Sequence, residues 1–100
     1  MVEEQPQHIE VVDVPERRSF EARVDGAIAG IAQYLRGADR VVFIHTQVEP
    51  AFEGRGVGSA LAKQALDAVR AEGLGVEPRC PFIAAYIRRH TEYADLVVAG

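Results

Sequence analysis

The sequence has no tryptophan, one methionine and one cysteine, and its aromatic residues are four phenylalanines and three tyrosines. With Cys80 alone, no intramolecular disulfide can form and no cysteine-based metal cluster can be built. Positive charge is also scarce. Eleven Lys and Arg face fifteen Asp and Glu, for a net charge of −4, and no basic run exceeds a pair such as Arg88-Arg89. A nucleic-acid-binding surface needs a basic stripe with interleaved aromatics, so the composition disfavours that class. Long apolar runs are missing as well. No window approaches the roughly 20 residues of a membrane helix, and the acidic start "MVEEQPQHIEVVDVPERR" lacks the apolar core of a signal peptide. The expectation is a soluble cytoplasmic protein without nucleic-acid or membrane partners, its oligomeric state open. One hundred residues suffice for one hydrophobic core.

Residues 1–17 read as a flexible lead-in, with a short strand at 9–12, ahead of a single domain over 18–100. Phe20, Ala22 and Val24 alternate with Glu21, Arg23 and Asp25, the period of a half-buried strand. Asp25-Gly26 signals a hairpin turn, Ala27–Tyr34 returns, Gly37–Arg40 turns again, and "VVFIHTQV" (41–48) is a third strand. From Val57 the period changes to 3.6, with Val57, Leu61, Ala65, Ala68 and Val69 on one stripe. Gly73 is placed to cap this helix. "LGVEPRC" (74–80) follows as a strand, and Pro81 opens a second helix with Ile83, Tyr86 and Ile87 on its apolar face. The order β-β-β-α-β-α predicts an α/β (α+β) fold, a mixed sheet covered by helices.

Between strand 41–48 and helix 57–72 stands "EGRGVG". Glycine is costly in a folded chain, so three at alternate positions need a reason. One is a tight turn into the helix. The other is an anion, because amides at a helix N-terminus are unpaired and carry the positive end of the dipole. Three phosphate-binding patterns compete. A P-loop requires a lysine before its Ser/Thr, and the residue before Ser59 is Gly58. A dinucleotide fingerprint requires a glycine where Leu61 stands, in a doubly wound sheet. The third pattern is the pyrophosphate loop of acetyl-coenzyme-A-binding proteins.

"HTQVEPAFEGRGVGSALA" together with "VEPRCPFIAAYIRRHTEY" resembles the small GCN5-related N-acetyltransferase-like (GNAT-like) proteins, over about residues 18–97. In the wider superfamily the loop reads Gln/Arg-x-x-Gly-x-Gly/Ala. Gly56 and Gly58 match it, Gly54 lies outside it, and Glu53 replaces the leading Gln/Arg, with the positive charge moved to Arg55. Gln47 stands where the group often has Glu, and Thr91 where it often has Pro. The resemblance implies a GNAT-like, mostly antiparallel sheet and an N-acetyltransferase that takes acetyl-CoA as cofactor and an amine acceptor, small molecule or peptide, as partner. It implies that strand 43–48 splays from its neighbour, with Thr46 and Val48 beside the pantetheine arm. The amides of Arg55, Gly56, Val57, Gly58, Ser59 and Ala60 are implied to hold the pyrophosphate. Arg88 and His90 are further candidates for its phosphates.

Cys80 would then lie near the thioester, just before a helix N-terminus, where the dipole favours thiolate, with Arg79 adding positive charge. Either Cys80 accepts the acetyl group and passes it on, or the amine attacks the thioester directly and Cys80 only shapes the site. His45 is the candidate base, since imidazole titrates near neutrality, or else a strand histidine bonding the glycine loop. Tyr86 is a general acid or a core aromatic. The different-class alternative is a coenzyme-A-binding or protein-interaction module without turnover. The net negative charge favours a cationic acceptor such as a polyamine.

Overall fold

The computed structural model describes residues 8–98. Of the lead-in expected over 1–17, residues 1–7 lie outside the described residues. The rest is not a lead-in: β1, Glu10–Val14, pairs with β2, Ser19–Val24, in antiparallel register. The short strand expected at 9–12 is thus present, carried on to Val14 by its pairing with β2. β3 (Ala27–Arg36) and β4 (Arg40–Val48) complete the expected meander. Asp25 and Gly26 both have positive φ, 51° and 83°, as a two-residue hairpin demands. Helix α1, Val57–Ala71, crosses to β5, Gly75–Pro78, and α2, Pro81–Arg89, follows. The five strands lie in sequence order, with β4 and β5 parallel and the other pairs antiparallel.

α1 buries Val57, Leu61, Ala62, Ala65, Leu66 and Val69. Ala62 and Leu66 join the expected stripe and Ala68 is only half-buried, because a sheet is broad enough to cover more than one row of a helix. Beneath lies an aromatic cluster: Phe20, Tyr34 and Phe43, with ring centroids 5.3–6.4 Å apart. The helix ends in a Schellman cap, with Gly73 N–H donating to the Arg70 carbonyl at 3.0 Å and Leu74 N–H to Val69 at 3.2 Å. Its start is set by Gly30 on β3. A Cβ there would lie 2.9 Å from the Gln47 carbonyl oxygen and 3.2 Å from Val57 Cγ1, so only glycine lets the first turn of α1 sit this close to the sheet. A short 3-10 segment, Thr91–Leu96, runs beside α1, where the Tyr93 hydroxyl donates to Asp67 at 2.6 Å and Arg70 pairs with Asp95 at 2.8 Å.

On β2, Glu21 is 2 % exposed and accepts from Arg23 at 2.9 Å and Arg17 at 3.0 Å. The Arg23 hydrogen bond holds its carboxyl below the usual 4.5, against the opposing effect of burial, with Arg17 adding to the lowering. A depressed folded-state pKa contributes stability above the unfolded value and loses it as pH falls through the folded one. Glu21→Gln is therefore expected to destabilise the fold in urea titrations at pH 7. The gap from wild type should close as pH drops below 4.5; a gap unchanged at low pH would contradict an ionic origin.

Candidate functional site

β5 stops early. Its last rung with β4 is Phe43 opposite Pro78, after which Cys80 N–H donates to the Phe43 carbonyl at 2.9 Å and the chain turns into α2. Residues 44–48 keep only their β3 partners among the described residues, so their other edge faces a gap. The expected splay of strand 43–48 is thus present. β4 also carries a bulge. Tyr34 pairs with Phe43 and Gln33 with His45, leaving Ile44 as the extra residue. An extra residue reverses the alternation of faces. Val41 and Phe43 are buried, and it is then Thr46 and Val48 that are half-buried while His45 and Gln47 are exposed.

This shift decides which side chains meet. Thr46 Oγ1 lies 3.1 Å from Cys80 Sγ, and the thiol is 2 % exposed at the N-cap of α2. His45 is not brought to this pair; the bulge turns it to the exposed face, opposite Gln33. Arg79 brings no free charge to Cys80, since its guanidinium pairs with Glu77 at 2.5 Å. Tyr86 is also elsewhere. Its ring stacks on His90 with centroids 3.9 Å apart. Burial raises its phenol pKa, and the charges acting on it are Lys63, Glu92 and Asp67 rather than anything at Cys80.

At the other end of β4, Pro50–Phe52 forms a 3-10 turn and the glycines follow. Gly54 and Gly56 have φ of +81° and +80° with open space where a Cβ would stand, whereas Gly58 has ordinary helical geometry. Gly58 is needed for room: its Cβ would meet Phe82 Cζ at 2.7 Å. Gly54, outside the family pattern, is therefore as strongly required by backbone conformation as Gly56. Among the described residues the amides of Val57, Gly58 and Ser59 donate to no backbone carbonyl, as at any helix start. Ala60 does not join them, because its N–H donates to the Gly56 carbonyl at 3.0 Å. Arg55 lies over the Phe52 ring, 5.5 Å from its centroid, beside the loop. Val48 packs against the core, leaving only its main chain for the gap.

Ser59 faces α2 across a cavity of about 160 Å³ lined also by Phe82, Ala85, Tyr86, Arg89 and His90. Arg88 does not line it and is exposed; its neighbour Arg89 does. Sequence reasoning missed Phe82 and Arg89. The signal was their spacing from Tyr86 and His90, which places all four on one side of α2. A larger hollow, about 450 Å³, lies between β1, β2 and α1. Its carboxylates are engaged, Asp13 by Tyr34 and Arg36 and Asp67 by Tyr93 and Lys63, so it offers no unpaired chemistry.

Comparison with known proteins identifies the family and the fold. Residues 19–96 match the GCN5-related N-acetyl-transferase family. Protein NATD1 of Mus musculus is 35% identical over 77 residues, covering 75% of this chain and 70% of the relative. Protein NATD1 of Homo sapiens is 36% identical over 76 residues, covering 74% and 67%. The solution structure of a GCN5-like protein from Staphylococcus aureus superimposes with TM-score 0.64 at 20% identity, over 97% of this chain and 93% of that one. A ribosomal-protein-alanine N-acetyltransferase from Brucella melitensis biovar Abortus gives TM-score 0.58 at 18% identity, over 82% and 62%. At these identities the two structures establish the fold, which is the one expected.

The three glycines should respond differently. Gly54→Ala and Gly56→Ala are each expected to cost about 1–2 kcal/mol from forcing a Cβ into left-handed backbone. Gly58→Ala should cost little once Phe82 is also replaced by Ala, because the clash is with the tip of one ring. A denaturant double-mutant cycle at positions 58 and 82 should show coupling; strict additivity would disprove the contact.

Proposed function

The chain belongs to the GCN5-related N-acetyl-transferase family, and from that premise we propose that it binds acetyl-CoA beside β4 and transfers acetyl to an amine. The observation that carries the proposal is one strand with two complementary ends. Along residues 44–48 a strand edge has no second strand partner among the described residues, and past its end three amides at the start of α1 donate to no backbone carbonyl there. Those features fit a ligand with a peptide-like arm and a diphosphate, which needs main-chain pairing at one end and an anion cradle at the other. When bound, acetyl-CoA supplies an activated acetyl group as a thioester.

The division of labour follows from position. Val57, Gly58 and Ser59 hold the diphosphate through their N–H groups, and Gly54 and Gly56 curve the chain so that no side chain intrudes. The main chain of 44–48, Thr46 and Val48 included, aligns the arm. Thr46 and Cys80 line the far end of the gap, with Cys80 shaping the site by direct packing while the acceptor amine makes the attack. No imidazole or carboxylate is hydrogen-bonded to that pair among the described residues. This favours an acceptor that arrives already deprotonated. It also favours the second reading, a coenzyme-A-binding or interaction module without turnover.

Titration calorimetry with acetyl-CoA should give saturable binding to the wild type, and failure to bind would overturn both readings. Release of free thiol that depends on an added amine separates enzyme from module. Under direct attack, Cys80→Ala retains acetyl transfer; complete loss in a folded variant would instead make Cys80 the acetyl carrier. The rate should rise with pH toward the amine's own pKa, about 10 for a lysine-type acceptor. A plateau near neutrality would point to a protein base.

A further inference from the structure

The helices of this fold cover one side of the sheet only. Cross-strand partners share a face, so the pairings sort the strand residues. One face carries Phe20, Ala32, Tyr34 and Phe43 under α1, and α2 joins the same core. The segment Thr91–Leu96 is tied to α1 as well, through Tyr93 and Asp67. No α-helix is left for the opposite face among the described residues. That face carries Val12, Ile31 and Val42, each half-buried, with Ile28 and Leu35 exposed by 42 % and 46 %. Gln33, His45 and Gln47 stand beside them.

Apart from Glu10 on the edge strand, the carboxylates of this face are bound within the chain. Glu21 accepts from Arg17 and Arg23, and Glu77 binds Arg40 at 3.1 Å and Arg79 at 2.5 Å. What remains is a nearly neutral surface with an apolar centre, and it offers no field to draw a nucleic acid, an anionic membrane or a charged peptide. A second copy of the chain needs none. In a two-fold interface each patch meets itself, so an unbalanced charge would repel. A primary amide both donates and accepts, so it can bond its own copy, and Gln33 and Gln47 meet that condition.

The area is sufficient. Five strands at about 4.8 Å spacing, with about six residues each at about 3.3 Å rise, make a face of about 500 Å². Two such faces, stacked about 10 Å apart, bury about 1,000 Å², the lower limit of a specific interface. That size suits a dimer that forms and parts with concentration rather than a permanent one.

We propose that the chain forms a two-fold dimer through this open sheet face, the two sheets packed back to back with α1 and α2 on the outer sides. Ile28, Ile31, Leu35 and Val42 form its centre. The dimer is independent of the acetyl-CoA reading, because the start of α1 stays on the outer surface and takes no part in the contact.

Sedimentation equilibrium of the wild type from about 1 μM to about 1 mM should show reversible monomer–dimer exchange, the range expected for a small interface. Ile28→Arg and Leu35→Arg place a charge among apolar side chains and should each weaken association about tenfold or more. Both residues are exposed, so the variants should fold, and circular dichroism checks that. Val97 is also 42 % exposed but is bridged to Val76 on the helix-covered side, so Val97→Arg should dimerise like the wild type. A wild type that stays monomeric at the highest concentration would overturn the dimer. If that monomer floats with phosphatidylcholine vesicles, the face belongs to a lipid surface instead. Loss of the dimer in Val97→Arg but not in Leu35→Arg would also overturn it, by placing the contact elsewhere.

Discussion

The site depends on β4 being longer than the strand paired to it. Pro78 has no N–H for another rung of the ladder, and Pro81, with φ already suited to a helix, opens α2 three residues later. The last main-chain bond across is therefore Cys80 N–H to the Phe43 carbonyl, and beyond it β4 has no strand partner on that side among the described residues. In most proteins an unpaired internal edge is a liability. Here it is short, lies between two helices' N-termini, and sits under a buried thiol, so another strand cannot reach it easily while a thin ligand can.

The bulge at Ile44 is the second half of the same arrangement. Without it the alternation of β4 would carry inward from Phe43 to His45 and Gln47, placing an imidazole under the start of α2. With it, Thr46 reaches Cys80 and Val48 reaches the core. One inserted residue thus exchanges His45 and Gln47 for Thr46 and Val48 on that side of the strand. Gly30 then fixes the height of α1 over this strand, because Val57 can rest against β3 only where no Cβ intervenes. The three free amides are thus held in a defined position relative to the open edge, through one glycine on a strand that contributes nothing else to the site.

The elements of the fold were readable because they rest on local periodicity. The alternation from Phe20 to Val24, the 3.6-residue stripe from Val57, Asp25-Gly26, Gly73 and Pro81 all act within a few residues of themselves. What was not readable is how strands, side chains and backbone angles are arranged in space. A strand was expected near β1, but its place at the sheet edge beside β2 was not. The bulge that misplaced His45 exists only as a mismatch between β3 and β4. Arg79 looked like a charge for Cys80 until Glu77, two residues back on the strand, took it. Gly54 looked dispensable because a sequence pattern reports which residues recur, and φ is not visible in it. Arg88 and Arg89 are adjacent and chemically identical, and only the rotation of α2 against α1 separates them.

That last distinction bears on how a chain with net charge −4 can serve a polyanionic ligand, as proposed. At physiological ionic strength charges are screened beyond about 8 Å, so the total matters less than what lies within that distance of the phosphates. Around the gap the local sources are amide dipoles at the start of α1, Arg55 over Phe52 and Arg89, which has no ion pair among the described residues. Many of the carboxylates that make the total negative are already bound to arginine or lysine: Glu21, Asp67, Glu72, Glu77 and Asp95. Under the proposed reading Glu53 can stand where the superfamily has Gln or Arg, because the cradle would work through backbone N–H groups and the residue there need only stay out of the way. By the same screening, net charge is a poor guide to the acceptor. Under the proposed reading, a cationic amine would be selected by groups close to Thr46 and Cys80 rather than by the total charge.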